Sequence, residues 1–123
     1  MARKYLLSID GGGIRGVIPL CALVELETQL RKPAREVFSF MSGTSTGAII
    51  CAGLAQGVSA EECLKLYRTL GAAVFRLDLL GFISSLGSYK YRSKALHDKL
   101  VQTLGDPVLN ELPIDVMLTA MRV

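Results

Sequence analysis

The sequence predicts an α/β protein with a mostly parallel sheet. Short apolar runs alternate with longer helical patterns along the chain. The first two of those runs each open into a glycine-bearing turn, and each turn leads into a helix. Strands that alternate with helices pair in parallel, and a parallel sheet is covered by helices on both faces.

Each element has its own justification. Tyr5-Leu6-Leu7-Ser8-Ile9 is a compact apolar run bounded by glycines, the pattern of a buried strand. Asp10 to Gly16 holds four glycines and reads as an irregular loop, with backbone freedom and little to pack. From Val17 to Leu30 the apolar positions recur at helical spacing, with Pro19 in the first turn, where a missing N–H does no harm. Arg31 to Glu36 is charged, contains Pro33 and reads as a surface connection, and Val37-Phe38-Ser39-Phe40-Met41 as a second strand. Ala48 to Ala55 is apolar all round, which predicts a helix buried on every side and closed by Gly57. Ser59-Ala60-Glu61-Glu62 has the spacing of a capping box and opens a helix through Leu64, Tyr67, Leu70 and Val74. Leu77 to Gly87 has no clean period. Ser93 is placed to cap a helix to Leu104, ended by Gly105 and Pro107, and Ile114 to Val123 reads as a third strand.

Composition narrows the function. Apolar residues make up 50% of the 123 and charged residues 20%, which excludes a disordered chain. A net charge of +3 with scattered basic residues argues against nucleic acid as partner. Cys21, Cys51 and Cys63 include no CxxC pair and stand apart from the single histidine, so free buried thiols in a reducing compartment are expected, with no metal site and no cofactor. The short N-terminal apolar run ends at Asp10 and no run approaches the roughly 18 residues of a membrane span. The expected location is the cytoplasm.

Two segments can carry chemistry. Gly43-Thr44-Ser45-Thr46-Gly47 fits G-x-S-x-G between a predicted strand and a predicted helix, the context in which a serine nucleophile sits on a sharp turn. The flanking positions must be small for the backbone to bend, and the helix start favours negative charge on the reacting carbonyl oxygen. Gly11-Gly12-Gly13-Ile14-Arg15-Gly16 fits G-x-G-x-x-G, yet no second strand ends in the acidic residue that a dinucleotide fold requires, and the Lys-Ser/Thr of a phosphate loop is absent. Backbone amides at a helix start that face an oxyanion explain these glycines better. Together the two segments form the halves of an acyl-transfer site.

Asp10-Gly11-Gly12-Gly13-Ile14-Arg15-Gly16 followed by Gly43-Thr44-Ser45-Thr46-Gly47 resembles the patatin-like phospholipase family over the whole chain. The resemblance implies a three-layer α/β/α fold and lipid acyl hydrolysis by a Ser-Asp dyad. It makes Ser45 the nucleophile and Gly11, Gly12 and Gly13 the oxyanion donors. Arg15 takes the basic position of the loop, either near a phosphate or as a brace, and Asp10, Gly16, Gly43 and Gly47 flank the two motifs. The partner it implies is a lipid or phospholipid substrate, with peripheral membrane contact as a corollary.

One part of the family pattern is missing. Its catalytic aspartate lies in a later Asp-Gly-Gly or Asp-Gly-Ala motif, and none of Asp78, Asp98, Asp106 and Asp115 is followed by such a pair. The expectation is therefore that residues 1–123 are the N-terminal part of a longer patatin-like domain, inactive alone. The alternative is a non-catalytic or regulatory patatin-like module, and a nucleotide-binding fold is a distant third. His97, between Lys94 and Lys99, reads as a solvated surface residue. Leu77 to Tyr91 reads as a core-facing connection, or else as an apolar flap for an acyl chain.

Overall fold

The computed structural model describes residues 3–70, 97–98 and 100–119. Strand β1 (Leu6–Ile9) leads through Asp10–Gly12 into one 3-10 turn over Gly13–Gly16, which runs directly into helix α1 (Val17–Leu30). The second half of the glycine segment is thus regular, against the expectation of a wholly irregular loop. The Arg15 N–H donates to the Gly12 carbonyl at 3.1 Å and closes the turn, which Gly13 enters with φ 56°. Pro19 falls in the first turn of α1, as its spacing predicts.

The next two elements correct the sequence reading. The connection after α1 contains a short helix, α2 (Ala34–Val37), and strand β2 spans Phe40–Thr44, three residues later than the predicted Val37–Met41. Val37 is drawn into the helix because a carboxylate oxygen of Glu27 accepts the Ala34 N–H at 2.7 Å and supplies a cap from another element. The Ser39 N–H then donates to the Tyr5 carbonyl at 2.8 Å and sets β2 beside β1. As a result, β2 includes Gly43 and Thr44, and the strand ends against Ser45.

Helix α3 (Thr46–Gln56) follows at once and packs on all three strands. Ile50, Cys51, Leu54 and Ala55 are buried, but Ala48, Ile49 and Ala52 are half-buried, so the helix is not enclosed on every side as its uniformly apolar sequence predicts. Gly57 ends it in the left-handed region at φ 100°. Helix α4 (Ala60–Leu70) opens on the predicted capping box: the Ser59 N–H donates to Glu62 Oε2 at 3.1 Å, and the Glu62 N–H donates to Ser59 Oγ at 3.2 Å. A second oxygen of Glu27 accepts the Ala60 N–H at 2.8 Å. One carboxylate therefore satisfies helix-start amides of both α2 and α4, and α4 packs on α1.

Residues 97–98 and 100–104 are helical, and Gly105 closes that helix with an N–H to the Val101 carbonyl at 2.8 Å. A 3-10 turn over Leu109–Glu111 precedes strand β3 (Asp115–Thr119). Val74, the segment Leu77 to Tyr91, Ser93 and the last four residues of the predicted third strand lie outside the described residues.

The strand order is β1-β2-β3, all parallel, with Ile9 opposite Gly43 and Gly43 opposite Leu118. This is the predicted α/β architecture. Burial alternates along each strand: Leu7, Ile9, Met41, Val116 and Leu118 pack into the core, whereas Leu6 and Met117, on the opposite face, are 69% and 55% exposed. Among the described residues, helical cover is on the α3 face only, where Leu20, Met41, Ile50, Cys51 and Leu54 are fully buried. No described helix is long and apolar enough to cross a membrane.

Cys51 and Cys63 are buried thiols, as expected, but Cys21 is exposed on α1. Burial pushes the Cys51 thiol up to about 11 and the Cys63 thiol up to about 12, the latter helped by the nearby carboxylates of Glu27 and Glu62.

Candidate active site

Ser45 occupies the corner between β2 and α3 with φ 54° and ψ −122°, a conformation L-residues rarely adopt and one that costs on the order of 1–3 kcal/mol. Its carbonyl takes the first helical hydrogen bond of α3, from the Ala48 N–H at 3.0 Å. A serine at that position ordinarily caps the helix with its hydroxyl. Here the hydroxyl makes no cap bond, and the residue is exposed. The fold holds a strained serine at a helix start and leaves its Oγ out of the helix.

The glycines on either side enforce the corner. A Cβ at Gly43 would run into the Gly47 carbonyl, and a Cβ at Gly47 would run into the Ile9 carbonyl at the end of β1. Both obstacles are backbone atoms of neighbouring elements and cannot swing away. The first turn of α3 therefore sits directly on the ends of β1 and β2, an approach that only hydrogen in place of Cβ permits.

The same strand pairing brings the second motif to Ser45. Because β1 and β2 are adjacent with Ile9 opposite Gly43, the chain leaving β1 passes over the corner. A Cβ on Gly11 would stand 2.9 Å from Ser45 Cβ and 2.9 Å from the Thr44 carbonyl oxygen. Asp10 and Arg15 are exposed beside the loop, and Gly16 is buried under it. The side chain of Tyr67, from α4, donates its phenolic hydrogen to the Gly13 carbonyl. Next to Ser45 on the other side, Thr119 at the end of β3 donates its hydroxyl hydrogen to the Gly43 carbonyl at 3.3 Å, and its Oγ1 is hydrogen-bonded to the hydroxyl of Thr44 at 3.1 Å.

The remaining candidate residues fall elsewhere. His97 is exposed, 3.6 Å from the equally exposed Asp98. With Gln56 and Asp106 it lines an open cleft at the far end of α3, about 16 Å along that helix from Ser45. Asp115 pairs with Phe40 at the start of β2, about 13 Å from the Thr44 end. Asp78 lies outside the described residues. Tyr67 and Thr119 escaped the sequence reading because neither lies in a motif. Tyr67 counted there only as one apolar position on a helix.

An exposed serine on a strained strand–turn–helix corner, at the carboxyl ends of parallel strands and against a glycine loop, defines a class of α/β protein whose reactions take place at such corners. The family model for patatin-like phospholipases matches residues 7–120, and the chain belongs to that family. It is 36% identical over 109 residues to the human calcium-independent phospholipase A2-gamma, covering 86% of this chain and 14% of that protein. It is 42% identical over 74 residues to an intracellular phospholipase A2 of Caenorhabditis elegans, covering 60% of this chain and 7% of that one. It is also 30% identical over 123 residues to a cGAMP-activated phospholipase of Pseudomonas aeruginosa, covering 96% of this chain and 36% of that one. The chain thus spans between 7% and 36% of the length of these curated relatives.

Proposed function

We propose that the chain is the nucleophile-bearing, N-terminal part of a serine lipid acyl hydrolase of the phospholipase A or lysophospholipase type. The conformation of Ser45 is the observation that supports this reading most directly. Strain of this kind persists only where the surroundings over-determine it, and here they do so by backbone contacts at Gly43 and Gly47. In the proposed reaction Ser45 Oγ attacks the ester carbonyl and its proton passes to an aspartate carboxylate. The carbonyl oxygen, now an anion, is held by amides of the Gly11–Gly13 loop and by the positive end of α3. Collapse of the tetrahedral species breaks the ester C–O bond, and the leaving alkoxide takes the proton back. Water then cleaves the acyl-enzyme by the same path. No metal or organic cofactor takes part.

The aspartate belongs to an Asp-Gly-Gly or Asp-Gly-Ala motif downstream of the serine, and none follows Ser45 in the 123 residues; Asp10-Gly11-Gly12 is part of the oxyanion loop. The isolated chain is accordingly expected to turn over esters far more slowly than a protein that carries the motif. That absence also favours a second reading, a non-catalytic patatin-like module. A fluorophosphonate probe on the native gene product separates the two. Covalent labelling that disappears in Ser45→Ala supports the hydrolase, and labelling that survives the substitution overturns it.

The substrate class is a lipid or phospholipid ester, met at a membrane surface from the cytoplasm. Exposed Ile14 and Ile18, on either side of the exposed Arg15 and next to the loop, are consistent with an apolar, anionic substrate.

A further inference from the structure

We infer that Tyr67 is a positioning residue for the oxyanion side of the Ser45 site. It holds the Gly13 carbonyl inward, and so turns the Ile14 amide at the other end of that peptide outward, beside the Gly13 amide that the Gly12 carbonyl orients, in the loop whose Gly11 abuts Ser45. This inference rests on the hydrolase reading above and adds a residue from a distant helix to it.

A glycine-rich loop is a poor source of aimed amides by itself. With no side chains, the peptide planes around Gly12 and Gly13 rotate at little cost, and amides that must reorganise during reaction lose most of their electrostatic value. Something has to fix the planes. Gly12 is fixed locally, through the Arg15 N–H on its carbonyl. The Gly13 carbonyl, the first inside the 3-10 turn, is held in addition from α4, by the phenol of Tyr67. The described peptide bonds are all trans, and a trans peptide points its C=O and N–H in opposite directions. Tying the carbonyls of Gly12 and Gly13 into the protein therefore sends the N–H groups of Gly13 and Ile14 the other way, out of the start of the turn.

The surroundings of the phenol fit this role. Tyr67 is 6% exposed, so its hydroxyl needs a protein partner, and the backbone of the glycine loop supplies one. Gly16 is bare where the ring arrives: a Cβ there would stand 2.7 Å from Tyr67 Cζ. The ring hangs from a helix whose start is secured twice, by the Ser59–Glu62 capping box and by Glu27, so the tie leads to a rigid body.

Tyr67→Phe in the native gene product keeps the ring and removes the bond. The expected result is a kcat about tenfold lower with KM within about twofold. The inhibition constant of a trifluoromethyl ketone, whose serine adduct carries the oxyanion, should rise by the same factor, while the melting midpoint stays close to that of the parent. Unchanged kcat and ketone affinity overturn the inference, as does a joint loss of kcat and KM with a lowered melting midpoint. A Ser45→Ala control tests the underlying reading separately. Should turnover survive in that control, amide hydrogen exchange over residues 10–17 still decides the matter: faster exchange in Tyr67→Phe supports the tie, and identical exchange refutes it.

Discussion

The two glycine turns beside the candidate site are held in opposite ways. The Gly43–Gly47 corner is over-determined at short range, since side chains at either glycine would meet backbone of α3 or β1, and Ser45 between them is pressed into φ 54°. The Asp10–Gly16 loop, tight at Gly11 and Gly16, has slack at Gly12. A Cβ on Gly12 would meet only the Arg15 side chain, at 3.4 Å, and the loop is held by the hydrogen bonds of its own 3-10 turn and by the distant phenol of Tyr67. A strained corner needs walls, whereas a loop with few side chains needs a tether.

Substitutions that test this contrast should differ in size. The largest effect is expected at the corner. Gly47→Ala drives a methyl group into the Ile9 carbonyl and should lose about 4 kcal/mol or more in chemical denaturation, while Gly12→Ala should lose less than about 1 kcal/mol. Comparable losses would remove the distinction between walls and tether. Next in size is Glu27→Ala, which strips carboxylate acceptors from the Ala34 and Ala60 amides and loosens the helix that carries Tyr67. A loss of about 2–3 kcal/mol is expected by the same assay. It should be accompanied by faster hydrogen exchange at residues 10–17 than at residues 40–44. Equal exchange in the two segments would show that the tether does not run through α4.

The smallest effect has the opposite sign. Glycine tolerates positive φ, so Ser45→Gly relieves the corner and should stabilise the protein by about 1 kcal/mol while abolishing fluorophosphonate labelling. A destabilised Ser45→Gly protein would mean that the conformation at this position carries no strain.

Much of the architecture was legible in the residues because the signals involved are short-range. The helix over Val17–Leu30, the capping box at Ser59 and the closure at Gly57 depend on contacts within a turn or two, and they appear where the spacing places them. The sequence predicts the second strand three residues early because the feature that shifts it, the Glu27 carboxylate on the Ala34 amide, comes from another element and leaves no pattern near Val37. The sequence holds no local cue that separates Cys21 from the two buried thiols, and it lies exposed on α1.

The chain alone determined which elements form and which two small-residue segments can bend sharply, since propensity, capping and the freedom of glycine are properties of neighbouring residues. Tertiary structure decided that these segments meet, with Gly11 against Ser45, and that a tyrosine from α4 reaches the Gly13 carbonyl. Strand pairing and helix packing set those distances, and both join residues whose separation along the chain encodes nothing about their separation in space.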